Sequence, residues 1–262
     1  MNDDLYYKHS GRVGFAAPLI LVVGIPLIIL LSAIYSYIVV YCPVVGYVNV
    51  VFLYGYWIAS GTVLGGLAKT GKCRNPMLLF VLGGVVGLVG LYFAWVFFVK
   101  ALFPDASVLA LTMSPMNLWE IAVRINADGW WGPSGVFQWA IVGAEAVAMV
   151  GGLAWLAYAS VDREVFCEDC GSWCEPFETI QLEVTEELLA TPQTGWNHLE
   201  LLGLEPAEPT DYPRLDAETL QCTGCELTQA IRFKMMTQVM DDGQPKEQAE
   251  DIPGILVQKK RG

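Results

Sequence analysis

The fold of this chain is decided first by residues Met77–Leu102, MLLFVLGGVVGLVGLYFAWVFFVKAL, in which Lys100 is the only charged residue. A helix needs about 20 predominantly apolar residues to cross the roughly 30 Å hydrocarbon core of a bilayer. This stretch is long enough, and its composition suits a lipid-facing helix. It is therefore predicted to span a membrane.

Three further stretches have the same character. Together they give four predicted spans: Val13–Tyr41, Val44–Ala68, Met77–Leu102 and Val136–Ser160. The first is too long for the apolar part of a cleaved signal peptide and has no cleavage site after it. Pro18 and Pro26 lie within it and predict a kink. The sequence thus predicts an all-α transmembrane four-helix bundle over residues 1–160.

Charge is unevenly divided along the chain. The chain is 54% hydrophobic and only 16% charged, whereas a soluble domain has about a quarter of its residues charged. Residues 1–160 carry seven Lys and Arg and six Asp and Glu; residues 161–262 carry eight and 21, a net charge of −13. The first part suits lipid and the second suits water. The acidic part argues against nucleic acid as a partner, because phosphates require a basic face.

Basic residues beside the spans predict the orientation. Lys8 and Arg12 precede the first span, and Lys69, Lys72 and Arg74 occupy the turn between the second and third. The positive-inside rule then places both termini in the cytoplasm. The acidic domain, residues 161–262, would face the cytoplasm, either as a solvated surface or as a docking site for a basic protein partner.

Residues 104–135 form the one sizeable segment on the outer side. Ser114-Pro115 predicts the start of a helix and Asp128-Gly129 its end. The helix is amphipathic, and Trp130-Trp131 would anchor it at the headgroup level. An interfacial connector is the favoured interpretation, and a lid over a pore is the alternative.

Small residues recur at a spacing of four along three of the spans: Gly61 and Gly65, Gly83 and Gly87, and Ala140, Ala144, Ala148 and Gly152. Such residues let helix backbones approach closely in a bilayer. Such stripes can pack helices against one another either within one chain or between protomers. Internal packing is favoured, and a homo-oligomer remains open.

Glu145 is the one ionisable residue in the interior of a predicted span. It lies about 13 Å from the outer end of the fourth span at 1.5 Å per residue. A charge at that depth costs roughly 3 kcal/mol or more, so the carboxyl needs a partner or a proton. Asn49, Tyr35 and Tyr92 lie at comparable depths and could donate hydrogen bonds. Glu145 is either a proton or cation site in a transport path or a hydrogen-bonded group that fixes helix packing.

Two cysteine pairs define the acidic domain. Cys167 and Cys170 form a C-x-x-C-G knuckle, and Cys222 and Cys225 form a second C-x-x-C pair. A two-residue spacer lets both thiolates turn toward one ion, and two such pairs predict a tetrahedral zinc site of the ribbon kind. A reducing cytoplasm favours metal over disulfides. The zinc is expected to be structural, and Cys174 and His198 are spare candidate ligands.

The competing hypothesis for these cysteines is thiol redox chemistry. A redox C-x-x-C pair begins a helix after a strand in a βαβ unit, and neither pair has that context. The first pair lies among acidic residues, which raise a thiol pKa. Thiol redox chemistry is therefore the less favoured hypothesis.

The rest of the acidic domain is predicted as a small α+β unit. Strands are expected at Leu220–Cys222 and Ala230–Val239 and a closing strand at Gly254–Lys260. Short helical or extended pieces are expected at Glu183–Leu189 and Trp196–Leu202. A polar turn is expected over Asp241–Asp251. The core would be thin, and metal binding would add to its stability.

Three short stretches carry a resemblance. They are Tyr7-Lys8-His9-Ser10-Gly11, Gly71-Lys72-Cys73-Arg74-Asn75-Pro76 and Phe166-Cys167-Glu168-Asp169-Cys170. In this order they resemble a group of uncharacterised bacterial multi-pass membrane proteins. The resemblance implies a bacterial inner-membrane location, and it says nothing about activity.

The sequence has no nucleophile motif and no phosphate-binding loop, so a membrane enzyme is the least favoured class. The favoured function is an adaptor, assembly factor or sensor that acts by protein contact through a zinc-ribbon-like domain. The alternative is a small transporter or channel that uses Glu145.

Overall fold

The chain forms two compact units in the computed structural model, which describes residues 5–42, 47–129, 134–189, 196–208, 212–225, 228–241 and 244–259. One unit is Ser10–Asp162. The other combines Met1–His9 with Arg163–Gly262. The first unit is built from helices, whereas the second contains a β-sheet.

Four long apolar helices pack together in the first unit. The first span, Ala16–Tyr41, comprises α1 (Ala16–Leu19), a π-helical turn (Ile20–Gly24) and α2 (Ile25–Tyr41); the others are α3 (Tyr47–Thr70), α4 (Pro76–Leu102) and α7 (Val136–Asp162). Helix α4 packs against α2 and α7, and α3 packs against α7. Each helix is long and apolar enough to cross a bilayer. The predicted fold class of this part is confirmed.

Prolines lie at the beginnings of two helices, α2 and α4. The π-helical turn directly precedes α2, whose second residue is Pro26. Because proline has no N–H and its ring displaces the carbonyl four residues earlier, the regular α-helical hydrogen-bond pattern is interrupted there. Pro76 instead begins α4, and the Asn75 side chain accepts a hydrogen bond from the Leu78 N–H at 3.0 Å. A proline at that first position costs nothing, since its missing N–H would be unpaired there.

The loop before α1 pairs with the turn between α3 and α4. The Phe15 N–H donates to the Gly71 carbonyl at 2.8 Å, and the Arg74 N–H donates to the Arg12 carbonyl at 2.7 Å. A Cβ at Gly71 would lie 2.4 Å from the Ala16 Cα, so only glycine fits there. Gly71 therefore permits a defined backbone contact between the two segments.

Gly83 and Gly87 of α4 face α7 and determine how closely the two helices approach. A Cβ at Gly83 would lie 2.7 Å from the Leu153 carbonyl oxygen, and one at Gly87 would lie 2.9 Å from the Val150 Cα. Gly61 and Gly65 of α3 likewise face α7. These residues pack inside the chain. The fourth-span stripe is mixed, because Gly152 contacts Trp57 whereas Ala140 and Ala144 are exposed.

Two short helices, α5 (Val108–Met113) and α6 (Pro115–Asp128), follow α4. They pack against the end of α4 through Val96, Val99, Leu111 and Leu118. Helix α6 begins after Ser114 and ends at Gly129, which has a φ of 91°, as predicted. The Ser114 side chain, however, makes no capping hydrogen bond. Trp130 and Trp131 lie outside the described residues.

The second unit contains a five-stranded antiparallel sheet in the order β1-β2-β3-β4-β5. Its strands are β1 (Phe166–Cys167), β2 (Ser172–Glu183), β3 (Arg214–Cys222), β4 (Thr228–Asp241) and β5 (Gln244–Lys259), with α8 (Glu186–Leu189) and α9 (His198–Leu201) between β2 and β3. The predicted polar turn over Asp241–Asp251 is wrong, because β5 starts at Gln244 and pairs with β4. Residues 244–251 at the start of β5 are exposed. Their sequence is polar and has no apolar face that would have predicted a strand.

Residues near the N-terminus pair with the outer strand of this sheet. The Tyr7 N–H donates to the Ile255 carbonyl at 2.8 Å, and Tyr6 forms a bridge with Leu256. The Tyr7 hydroxyl accepts a hydrogen bond from the Phe166 N–H at 3.1 Å. The sheet unit is therefore completed by residues that precede the first span.

Replacing Gly83 with Ala should destabilise the bundle, because the new methyl group meets backbone atoms of α7. We expect a loss of about 1–3 kcal/mol, the usual cost of overpacking. The measurement is thermal unfolding of the full chain in detergent. Gly84→Ala is the matched control, since its nearest neighbour, the Ala154 Cβ, is 3.9 Å from the added carbon. Equal midpoints for the two variants would contradict the proposed packing.

Candidate metal centre

The four cysteines of the two pairs come from two hairpins at one end of the sheet. Cys167 ends β1 and Cys170 lies in the turn before β2. Cys222 ends β3 and Cys225 lies in the turn that follows. Two antiparallel hairpin turns thus each present one C-x-x-C pair. Sequence spacing predicted the pairs, and the sheet brings them together.

The sulfur atoms lie at distances that suit one metal ion. All four Sγ atoms are within 4.8 Å of one another, and those of Cys167 and Cys225 are 3.7 Å apart. Four thiolates at about 2.3 Å from a tetrahedral zinc ion are separated by roughly 3.8 Å. Cys167 and Cys222 are buried, whereas Cys170 is exposed. The group therefore has the donor type, number and spacing of a closed metal site with one edge near solvent.

Local hydrogen bonds favour a thiolate at Cys222. Burial alone would raise its pKa, but a hydrogen bond from the Ser172 hydroxyl and others from the backbone N–H groups of Gly224 and Cys225 lower the pKa to about 6. The Ser172 Oγ is 3.4 Å from the Cys222 Sγ. By contrast, the pKa of Cys170 is raised, first by a hydrogen bond with Cys225 and then by desolvation. The neighbouring thiols, rather than the nearby carboxylates, dominate that shift.

Two glycines make the turns possible. Gly171 follows the first pair with a φ of 65°, and its N–H donates to the Cys167 carbonyl at 2.9 Å. Glycine adopts such a positive φ without steric cost, which allows the tight turn. Gly224 lies inside the second pair, where an added Cβ would be 3.1 Å from the Cys170 Cβ and 3.2 Å from its Sγ. A side chain at Gly224 would therefore press on a candidate ligand.

Neither spare candidate joins the group. Cys174 lies opposite Cys222 in the β2–β3 register and is buried in the core. Burial, followed by the charges of nearby cysteines, raises its pKa to about 12. His198 lies in the other core, where its Nδ1 is 3.1 Å from the Tyr6 hydroxyl and its ring packs on Phe233. Burial lowers the pKa of His198.

The intramembrane candidates are also located by the structure. The Tyr35 hydroxyl donates to the Glu145 Oε1 at 2.5 Å. Tyr92 does not serve Glu145, because its hydroxyl donates to the Thr112 carbonyl at 2.7 Å. Asn49 lies in α3, but its side chain is outside the described part. Of the three donors named from depth alone, Tyr35 is the one that the structure joins to Glu145.

Sequence reasoning did not find two neighbours of the cysteine group. Ser172 hydrogen bonds to Cys222, and Tyr7 accepts from the N–H of Phe166, the residue before Cys167. No spacing rule connects either residue to a metal site. Gly224, in contrast, had a signal, because a glycine inside a C-x-x-C turn suits a close approach.

Comparison of the chain with protein-family models, with curated proteins and with solved structures gives no match. No family is identified, and the site is interpreted from its own geometry. The established features are four candidate membrane helices and a four-cysteine cluster in a β-sheet region.

Gly224→Ala should weaken metal binding, because its methyl group displaces Cys170. We expect roughly a tenfold loss of zinc affinity, the lower end of the effect of disturbing residues around metal ligands. Competition with a chelator measures the affinity in the full chain. Thr223→Ala, a change at an exposed residue of the same turn, should leave it unaltered. An unchanged affinity for Gly224→Ala would argue against Cys170 as a ligand.

Proposed function

We propose that this multi-pass membrane protein holds one structural zinc ion in its sheet unit and acts by protein contact, as an adaptor, assembly factor or sensor. The observation that carries the zinc assignment is the cluster of four Sγ atoms within 4.8 Å. Structural zinc sites are closed and tetrahedral with cysteine ligands, whereas catalytic sites keep an open position. The zinc would be held by Cys167, Cys170, Cys222 and Cys225.

Zinc-ribbon-like geometry is supported by the way the two pairs are presented. Each pair lies at a turn between antiparallel strands. Redox pairs instead begin a helix, which stabilises the attacking thiolate. Neither Cys170 nor Cys225 is followed by a helix in the described residues. A membrane-tethered thiol redox enzyme is therefore the weaker hypothesis.

Protein contact is supported by an exposed strand surface. Phe177 and Ile180 on β2 are 68% and 45% exposed and are accompanied by Glu175 and Glu178. Apolar side chains bordered by like charges suit a partner with apolar contacts and a basic rim. The net charge of residues 161–262 points to the same kind of partner.

A common side of the membrane for both termini is supported by pairing within the sheet unit. Tyr7, before the first span, hydrogen bonds to Ile255, after the last. Both residues must then lie on the same side of the membrane, as four crossings require. The basic residues beside the spans favour the cytoplasmic side, and the sequence resemblance favours a bacterial inner membrane.

Transport through a path containing Glu145 has less support. Among the described residues of the four long helices, the other charged groups lie in the terminal turns, at Lys69, Lys100 and Asp162. Transport paths are usually marked by several intramembrane ionisable groups. A single carboxyl hydrogen bonded to Tyr35 is compatible with a purely structural role.

The zinc assignment is tested by metal analysis of the full chain, purified reduced in detergent. We expect about one zinc ion per chain, lost in Cys222→Ser and retained in Cys174→Ser, because Cys174 lies outside the group. The full chain is needed because a fragment starting at residue 161 would lack Tyr6 and Tyr7. Iron in place of zinc would refute the zinc assignment. Absence of metal with a reversible Cys167–Cys170 disulfide would favour the redox hypothesis instead.

The partner surface is tested by a photo-cross-linking amino acid at Phe177 in native membranes. We expect a defined adduct with one basic protein, and loss of that adduct when Cys222→Ser disrupts the domain. The same label at Gln248, exposed on β5, should not form it. Equal labelling of many proteins from both positions would refute a specific docking surface.

A further inference from the structure

Polar side chains from three helices meet inside the bundle around Glu145. The Tyr35 hydroxyl of α2 donates to the Glu145 Oε1 of α7 at 2.5 Å. The Tyr35 ring packs on that of Tyr56 from α3, with centroids 5.6 Å apart. The Tyr56 hydroxyl lies 3.3 Å from the Ser32 Oγ of α2. Two polar pairs, Tyr35 with Glu145 and Tyr56 with Ser32, thus adjoin through the packed tyrosine rings, away from the helix ends.

Glu145 itself is partly exposed, whereas the hydroxyl-bearing side chains beside it are buried. Tyr35 and Tyr56 are 7% and 5% exposed, and Ser32 is fully buried. The Tyr56 hydroxyl fits against Gly90 of α4, where any Cβ would lie 2.4 Å from it. Ser60 of α3 is fully buried, and its side chain interacts with the Tyr56 hydroxyl.

No positive charge faces Glu145 from the described residues of the helices packed around it. Its hydrogen-bond partner from α2 is the Tyr35 phenol, and Tyr56 of α3 packs on the ring of that phenol. Phenols are ordinarily uncharged near neutral pH. Lys69 and Lys100 lie in the last turns of α3 and α4. The Tyr92 hydroxyl of α4 is turned to the carbonyls of Leu111 and Thr112. A carboxylate with hydroxyl partners alone is strongly disfavoured within a bilayer.

We propose that Glu145 is the proton-binding group of an intramembrane site completed by Tyr35, Tyr56, Ser32 and Ser60. Tyr35 donates to one carboxyl oxygen, and the bound proton is carried by the other oxygen, so the carboxyl is a neutral acid. Hydroxyl groups both accept and donate, so the cluster lets this proton exchange with water outside the bundle. Carboxyls within membrane spans that exchange protons are the usual units of intramembrane proton relays. This site is independent of the proposed zinc domain.

Infrared spectroscopy of the full chain in lipid vesicles tests the proposal. The expected spectrum at neutral pH has a carbonyl band of a protonated carboxylic acid that Glu145→Gln removes. Tyr35→Phe should shift the band because it deletes the hydrogen bond to Oε1. Tyr41→Phe is the matched control on the same helix, since its hydroxyl donates to the Ala101 carbonyl instead, and it should leave the band unmoved. A carboxylate band for Glu145 would overturn the proposal.

Hydrogen–deuterium exchange of the Glu145 band distinguishes a proton-binding site from a carboxyl that only fixes helix packing. On transfer to deuterated water the wild-type band should shift within minutes, and Tyr56→Phe should slow that shift at least several-fold. A band that stays unshifted for hours would show a sealed structural carboxyl and would overturn the exchange site. If Glu145→Gln does not fold, the shifts caused by Tyr35→Phe and Tyr56→Phe still decide the matter.

Discussion

The close approach of α4 and α7 is the contact on which the membrane unit depends. A bilayer supplies no hydrophobic drive between helices, so they associate through close packing and interhelical hydrogen bonds. At Gly83 and Gly87 the backbone of α7 occupies the space that side chains would fill. This contact fixes the position of α7 along its axis. The same position brings Glu145, one to two turns from Val150, to the hydroxyl of Tyr35.

The sheet unit has cysteines within its own core. Its core is divided into two clusters: a larger one around Phe233 and Leu215, and a smaller one containing Cys167, Cys174 and Cys222 with Val165, Leu220 and Ala230. Half of the smaller cluster is cysteine, so its packing cannot be separated from the chemistry of the thiols. A metal ion binding there would contribute directly to folding, as in other small metal domains. It would also neutralise thiolate charge at Cys222, which the local hydrogen bonds favour.

The sequence predicted features that depend on local pattern. Hydropathy found the four spans to within a few residues, and C-x-x-C spacing found the cysteine group. It missed most of β2 because the middle of that strand is exposed and contains Pro176, which hides the alternation of apolar residues. It mistook the start of β5 for a turn, although Asp242-Gly243 is a strong hairpin signal. Charged, exposed strands lack the apolar period on which such predictions rely.

Contacts between residues far apart in the sequence were harder to predict for a physical reason. Depth in the bilayer allowed three donors to Glu145, and the choice of Tyr35 depends on how the helices are rotated about their axes. The register of the glycines determines that rotation, and hydropathy carries no information about it. Pairing of the N-terminal residues with β5 likewise has no local signal, since Tyr6 and Tyr7 lie far from Ile255 in sequence.

Through that pairing, the position of the N-terminal residues is coupled to the proposed metal site of the same unit. Tyr7 is held at two points, by its N–H on the Ile255 carbonyl and by its hydroxyl on the N–H of Phe166. Phe166 directly precedes Cys167, so a metal ion that fixes Cys167 also fixes the donor to Tyr7. Any ligand that binds only the folded state stabilises every contact that folding requires. Metal binding would therefore stabilise the N-terminal pairing, although none of its residues is a ligand.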